Sequence, residues 1–305
     1  MNKVIIFTEA FKHTGLGHLG RCTALSEILT EKGKDVYIVL DTDGTLLNGA
    51  NAKNLIYLNW KEESNLNEVI SSINPDEAYV DSYLADPSIY KKLSFRFPSL
   101  ICIDDYMRID YPEGATILNP GLGGKYLPYN FKKNKIITGI DSVLLRKPFR
   151  ETVNRIRKRQ QPKSVLVTLG GEDRYGLMPA LTRFLCREYP EWIKNLIIGP
   201  AFINLSEIQA ETDNNCRIHM NLSAYEMRDL MLNVDFAITA GGQTTYELNH
   251  CETPMILIET AENQRGNIRG WIEWKNTPFI GSATDLKLLD NLKRILTIYA
   301  NNDLN

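Results

Sequence analysis

Thr14-Gly15-Leu16-Gly17-His18-Leu19-Gly20-Arg21-Cys22 follows the apolar run Val4 to Thr8 and opens a stretch in which Leu19, Cys22, Leu25, Ile28 and Leu29 recur at helical spacing until Gly33 supplies a stop. A strand that enters a glycine-rich turn and leaves it as a helix is the repeating unit of a doubly wound α/β domain. Similar apolar runs follow at Asp35 to Leu40, Glu77 to Val80, Leu100 to Asp104, Thr116 to Leu118 and Ile136 to Thr138. The second half repeats them at Ser164 to Leu169, Asn195 to Ile198, Arg217 to Met220, Phe236 to Thr239 and Met255 to Ile258. Most are continuous rather than alternating, so each predicts a strand of a parallel sheet covered by helices on both faces. A last amphipathic stretch, Leu286 to Tyr299, puts Leu288, Leu289, Leu292, Ile295 and Leu296 on one helical face and predicts a closing helix.

A chain of 305 residues predicts two such domains, and two domains imply a cleft between them. The segment 150–163 is charged and nearly free of large apolar residues, so it reads as the connector and divides the chain into 1–149 and 150–305. With 43% hydrophobic and 24% charged residues, disorder and collagen-like repeats are excluded. A net charge of −2 excludes a general attraction to nucleic acid or an anionic membrane. No apolar run is long enough for membrane insertion, and the first residues are too short for a signal segment, which predicts a cytoplasmic protein. The five cysteines, at 22, 102, 186, 216 and 251, have no C-x-x-C spacing and predict free, mostly buried thiols. Four scattered histidines offer no obvious metal-ligand set, so no metal is expected.

The first glycine turn carries the main candidate for chemistry. Gly15 and Gly17 let a ligand approach the backbone, and the helix start offers N–H groups and a positive dipole end to an anion. His18 stands at that end, where the dipole disfavours the imidazolium, and the neutral imidazole is the form a general base needs. Equally, His18 can be a capping residue with no chemical role. Arg21, one turn on, suits either a phosphate or a carboxylate partner. The G-x-G-x-x-G spacing is matched only in part, and only Asp41 lies near the place of the acidic residue of a dinucleotide site, so no nicotinamide cofactor is expected.

In the second half, Ala240-Gly241-Gly242-Gln243-Thr244-Thr245-Tyr246-Glu247 joins a strand to a helix. Gly241 and Gly242 followed by the hydroxyls of Thr244 and Thr245 suit a diphosphate, and Glu247, a turn deeper, can accept hydrogen bonds from a ribose. A capping box of either threonine with Glu247 explains part of the pattern but not the paired glycines. Gly170-Gly171-Glu172-Asp173 brings Gly171 and Asp173 to the carboxyl edge of the sheet, where open sheets bind ligands, although Gly-Gly turns also arise for steric reasons. Glu259-Thr260-Ala261-Glu262-Asn263-Gln264 brings the amides of Asn263 and Gln264 to the same edge, where they suit sugar hydroxyl and acetamido groups.

Together these motifs resemble the nucleotide-sugar hydrolases and transferases of the GT-B architecture, in which two Rossmann-like domains face each other across a cleft. The family most resembled is that of the UDP-2,4-diacetamido-2,4,6-trideoxy-β-L-altropyranose hydrolases of pseudaminic acid biosynthesis. The resemblance rests on Gly15-Leu16-Gly17-His18-Leu19-Gly20-Arg21-Cys22, Val143-Leu144-Leu145-Arg146-Lys147-Pro148-Phe149, Ala240 to Glu247 and Glu262-Asn263-Gln264, with Asp81-Ser82-Tyr83 and Asp104-Asp105 as short acidic motifs after strands. It runs from about residue 3 to about residue 275. The polar loop Gly170 to Tyr175 and the missing aromatic before Leu144-Leu145-Arg146 depart from the family pattern. The resemblance implies that His18 is the general base that activates water, that Tyr83 positions the sugar, and that Asn263 contacts it. It also implies that Gly242, Thr244, Thr245 and Glu247 hold UDP.

A metal-independent hydrolase is chemically sufficient, because UDP is a stabilised leaving group that needs little protonation, and direct attack of water would invert the anomeric centre. The usual pair of glycosidase carboxylates is then unnecessary. The alternatives are a GT-B glycosyltransferase, in which an acceptor hydroxyl replaces water, and a nucleotide-sugar binding protein without turnover.

Overall fold

The computed structural model describes residues 2–11, 17–44, 54–153 and 163–301. Most of the segment read as a connector, 154–162, lies outside them. The chain divides into two compact units, Met1–Lys147 and Pro148–Asn305.

The first unit runs β1 (Lys3–Ala10), α1 (Gly17–Glu31), β2 (Asp35–Thr42), β3 (Leu55–Tyr57), α2 (Glu63–Ile73), β4 (Glu77–Asp81), α3 (Pro87–Arg96), β5 (Ile101–Ile103), β6 (Thr116–Asn119) and β7 (Lys135–Thr138). All its pairings are parallel, in the order β3-β2-β1-β4-β5-β6-β7. β1 is central, and the pleat sends its residues to two cores. Ile5 and Phe7 pack on one face with Trp60, Val69, Val80 and Leu93, while Val4 and Ile6 pack on the other with Cys22, Leu25, Leu29 and Ile38. Each fully buried Ile or Phe there stabilises the fold by roughly 1.5–3 kcal/mol, which is why the strand reads as an unbroken apolar run.

The second unit runs β8 (Ser164–Thr168), α4 (Leu177–Glu188), β9 (Ile193–Ile198), α5 (Leu205–Ala210), β10 (Cys216–Met220), α6 (Ala224–Asn233), β11 (Phe236–Ala240), α7 (Thr244–His250), β12 (Met255–Glu259), α8 (Arg265–Lys275), β13 (Phe279–Ser282) and α9 (Leu288–Asn301). Its sheet is parallel in the order β10-β9-β8-β11-β12-β13. Leu288, Leu292 and Leu296 of α9 are buried in the core with Val165, Val167, Ile238 and Ile256, as the apolar face of the last stretch predicts.

Every strand expected from the apolar runs is present, within a few residues at its ends. The two additional strands, β3 and β13, are sheet edges of three and four residues. An edge strand has one pairing partner and a partly wet side, so no continuous apolar run marks it. In both sheets the strand order reverses beside the first strand, at β1/β4 and at β8/β11, and ligands of open α/β sheets bind above the carboxyl ends of strands at such a point. Among the described residues no helix is long and apolar enough to cross a membrane.

Candidate active site

At the first switch point, residues far apart in sequence meet because β1, β4 and β5 lie side by side. His18 is the second residue of α1, Asp81 is the last of β4, Tyr83 follows in the next turn, and Asp105 lies just beyond β5. His18 Nδ1 is 2.7 Å from Asp81 Oδ1. Arg21 donates from Nε to Asp81 Oδ2, from Nη2 to Asp81 Oδ1 and from Nη1 to Asp105 Oδ1, each at 2.6 Å. The Tyr83 hydroxyl donates to Asp105, and its ring meets the His18 ring edge-on with centroids 4.1 Å apart. Asp81 is wholly buried and His18 is 3% exposed.

Burial alone would raise the Asp81 carboxyl, but the Arg21 guanidinium and His18 outweigh it and hold the group well below the usual carboxylate range. Asp105 is also held low, burial being overcome by Arg21. Burial opposes the charge on Arg21 in turn, and Asp105 and Asp81 more than restore it. An ionised Asp81 has no proton to give. The proton in the 2.7 Å contact therefore sits on His18 Nδ1, so that in the neutral ring the lone pair is on Nε2. A buried carboxylate that fixes the tautomer in this way prepares an imidazole to act as a base. Behind the cluster, buried Glu9 accepts from Ser82 Oγ at 2.5 Å and from the backbone N–H groups of Tyr83 and Leu84 at 2.7 and 3.1 Å, which holds the turn carrying Tyr83.

At the second switch point the Gly241–Thr245 turn is clamped by α8 and the segment before it. Gly241 N–H donates to Ile258 O at 3.1 Å and to Gln264 Oε1 at 3.3 Å, and Gln264 Oε1 also accepts from Thr260 N–H at 3.0 Å. Asn267 Nδ2 donates to Gly241 O at 2.7 Å, and Trp271 Nε1 donates to Thr245 Oγ1 at 2.8 Å. The two glycines differ. A Cβ on Gly241 would stand 2.4 Å from Ile268 Cγ1, whereas one on Gly242 would meet nothing within 4 Å. Gly241 is therefore required by packing, and Gly242 leaves backbone open to close approach. Glu247 is 3% exposed, and Thr244 begins α7 half-buried. A cavity of about 180 Å³ opens at the same edge, lined by Leu169, Glu172, Asp173, Tyr175, Thr260 and Ala283 among others.

Three candidate residues have partners within the protein. Arg21, for which the sequence left a phosphate or a carboxylate partner open, is engaged by two carboxylates. Asp173, expected to face a ligand, instead accepts from the N–H groups of Leu177 and Met178 at 2.8 and 2.9 Å and from Asn204 Nδ2 at 2.8 Å, which caps α4. The Thr245 hydroxyl, expected at a phosphate, points inward and donates to Gly242 O at 2.7 Å. Gly17 begins α1 with open space where a Cβ would stand, Gly171 and Asn263 are exposed, and Gly15 lies outside the described residues. Asp41, weighed for a ribose, pairs with Lys61. Asp81 and Asp105, singled out in the sequence only as acidic motifs after strands, are the partners of His18 and Arg21, and the pattern missed in the sequence is the clamp of Asn267 and Trp271. The clamp had a readable signal, since Gln264, Asn267 and Trp271 stand at i, i+3 and i+7 and share one helical face.

No protein-family model matches the chain. It is 24% identical over 271 residues to the pseudaminic acid cytidylyltransferase and UDP-2,4-diacetamido-2,4,6-trideoxy-beta-L-altropyranose hydrolase of Helicobacter pylori, covering 86% of this chain and 45% of that one. It is 22% identical over 278 residues to an uncharacterized protein of Methanocaldococcus jannaschii, covering 86% and 57%. The chain thus spans about half the length of the curated relatives it matches. Among solved structures, the glycotransferase of kitacinnamycin superposes with a TM-score of 0.64 at 16% identity, over 99% of this chain and 91% of that one. Arabidopsis thaliana UGT89C1 complexed with UDP superposes at 0.67 and 12% identity, over 98% and 91%, and a UDP-N-acetylglucosamine 2-epimerase at 0.58 and 12%, over 97% and 87%. The fold is that of the GT-B enzymes. In GT-B terms, the His18–Asp81 pair belongs to the first Rossmann-like unit and the Gly241–Thr245 turn to the second.

Proposed function

We propose that the protein hydrolyses a UDP-linked acetamido-deoxy sugar to UDP and the free sugar, without a metal, in the formation of a nonulosonic acid of the pseudaminic type. The observation that carries this reading is the buried His18–Asp81 pair at the switch point of the first unit, a base whose tautomer is fixed with its lone pair on Nε2. His18 Nε2 takes a proton from water as the water oxygen attacks the anomeric carbon. The bond from that carbon to the diphosphate oxygen breaks, the electron pair leaves with UDP, and the anomeric configuration inverts. Tyr83, packed on the His18 ring, orients the sugar, and exposed Asn263 contacts it. The open backbone at Gly242, with Thr244 and Glu247 on the helix that follows, holds the UDP. The Helicobacter pylori relative, whose name includes such a hydrolase, supports the choice of substrate class.

The test is incubation with a panel of UDP-linked acetamido sugars in ¹⁸O-labelled water, followed by mass spectrometry. UDP and free sugar are expected with no acceptor present, with the label in the sugar. Release of UDP only when an acceptor is added would make the protein a transferase. Saturable binding without release would make it a binding protein.

A further inference from the structure

The spacing of the five cysteines makes them look independent, but the fold pairs two of them. Cys22, Cys102 and Cys251 are buried, while Cys186 and Cys216 are partly accessible. Cys186 lies in the last turn of α4 and Cys216 begins the edge strand β10, and their sulfurs are 3.4 Å apart. Asp213 stands beside them, with one ligand atom from each of the three within 4.8 Å of the others.

Such a trio invites a thiophilic cation, and the surroundings argue against one. The Asp213 carboxylate accepts from Lys194 Nζ at 2.5 Å and from the Asn215 N–H at 2.9 Å, and the Lys194 side chain is wholly buried. A cation on Asp213 would strip the buried ammonium of its counter-charge, which is costly. Joining the two sulfurs gives up the Cys216 thiol's hydrogen bond to Asp213 but leaves the Asp213–Lys194 ion pair in place, and the sulfurs, already in contact, close to the roughly 2.05 Å of a disulfide.

We propose that Cys186 and Cys216 are a redox-active dithiol that hydroperoxides oxidise to a disulfide. Cys186 attacks the terminal oxygen of the hydroperoxide, the O–O bond breaks, an alcohol or water departs, and Cys186 becomes a sulfenic acid. Cys216 sulfur then attacks the Cys186 sulfur and expels the hydroxyl as water, taking up the Cys216 proton. Two thiols lose two electrons and two protons in all, and the hydroperoxide is reduced by the same two electrons. The order follows from the setting. Burial pushes the Cys216 thiol up to about 12, whereas Cys186, also raised by burial, is eased back by the Cys216 S–H and by the Lys194 charge. Raised thiols react slowly, which suits a sensor of sustained oxidation rather than a peroxidase. The bond would tie the end of α4 to the sheet edge and close a loop across 30 positions of sequence.

The test uses the full chain, reduced, desalted, treated with hydrogen peroxide, alkylated and mapped by mass spectrometry without reduction. The expected result is a linked Cys186–Cys216 peptide, with Cys22, Cys102 and Cys251 alkylated as free thiols, and full reversal by dithiothreitol. Tm should rise by roughly 5 to 10 °C on oxidation, and this rise should vanish in Cys216→Ser. The proposal is overturned if Cys186 goes to sulfinic or sulfonic acid without a link, or if both cysteines stay reduced. Stoichiometric binding of cadmium that needs both thiols would also overturn it, in favour of a metal site.

Discussion

Asp81→Asn is the substitution that tests the base most directly. Both oxygens of Asp81 face donors, Oδ1 the His18 Nδ1–H and Arg21 Nη2, and Oδ2 the Arg21 Nε and the Cys22 thiol. An amide keeps one acceptor and adds an N–H donor, so either orientation sets a donor against a donor. If the amide nitrogen faces His18, the imidazole must accept at Nδ1 and carry its proton on Nε2, which removes the base. If it faces Arg21 Nε, a buried guanidinium loses half of a two-pronged partner. The catalytic cost of misplacing the tautomer is about 10² to 10⁴ in kcat. The structural cost of breaking a buried pair is about 3 to 5 kcal/mol, which Asp105 softens by still holding Arg21. The assay pairs initial rates of UDP release with UDP affinity by calorimetry. UDP affinity reports on the second unit, a far-UV circular dichroism melt checks the folding of the first, and His18→Asn, which leaves Asp81 with Arg21, serves as the companion variant. It should lose a similar share of kcat with UDP affinity intact. An Asp81→Asn protein that binds UDP normally and turns over within about threefold of wild type would refute the orienting role and the base assignment that depends on it.

The two glycines of the second turn should separate packing from binding. Gly241→Ala collides with Ile268 and should cost about 1 to 3 kcal/mol in thermal or chemical denaturation, while Gly242→Ala should leave stability unchanged and weaken UDP in calorimetry. Glu247→Ala should weaken UDP by about 1 to 3 kcal/mol, and an unaltered dissociation constant would remove Glu247 from the site. Asp81 and Asp105 are both held low, so the stability they contribute is complete above the ordinary carboxylate value of about 4 and is lost as pH falls toward their folded values. Melting curves against pH should therefore drop more steeply below about pH 4 in wild type than in Asp81→Asn. Hydrolysis should survive EDTA, and loss on chelation with recovery on adding magnesium or manganese would disprove metal independence.

The strands of both units were legible because a parallel sheet covered on two faces demands continuous rather than alternating apolar runs, and β1 from Val4 onward and the whole of β11 are buried. The start of α1 at Gly17 and the glycine turn at Gly241 were legible for a similar reason, since glycines between an apolar run and a helical repeat leave a local mark. His18 could be singled out because it stands at such a turn. Which carboxylate meets it could not, because Asp81 is 63 positions away and reaches it only once β4 is laid beside β1. Arg21 shows the same limit, pairing across 60 positions with Asp81 and 84 with Asp105. The capping bonds of Asp173 were not legible, because an acidic residue before a helix has the same sequence signature whether it faces a ligand or caps backbone N–H groups. The nearness of Cys186 and Cys216 likewise depends on the order β10-β9-β8, which nothing in the local sequence encodes. Local patterns determine which segments are strands, helices and turns because those choices are made by neighbouring side chains and backbone hydrogen bonds. Which charges and thiols end up touching is decided by strand order, and that order emerges only when whole faces are buried together.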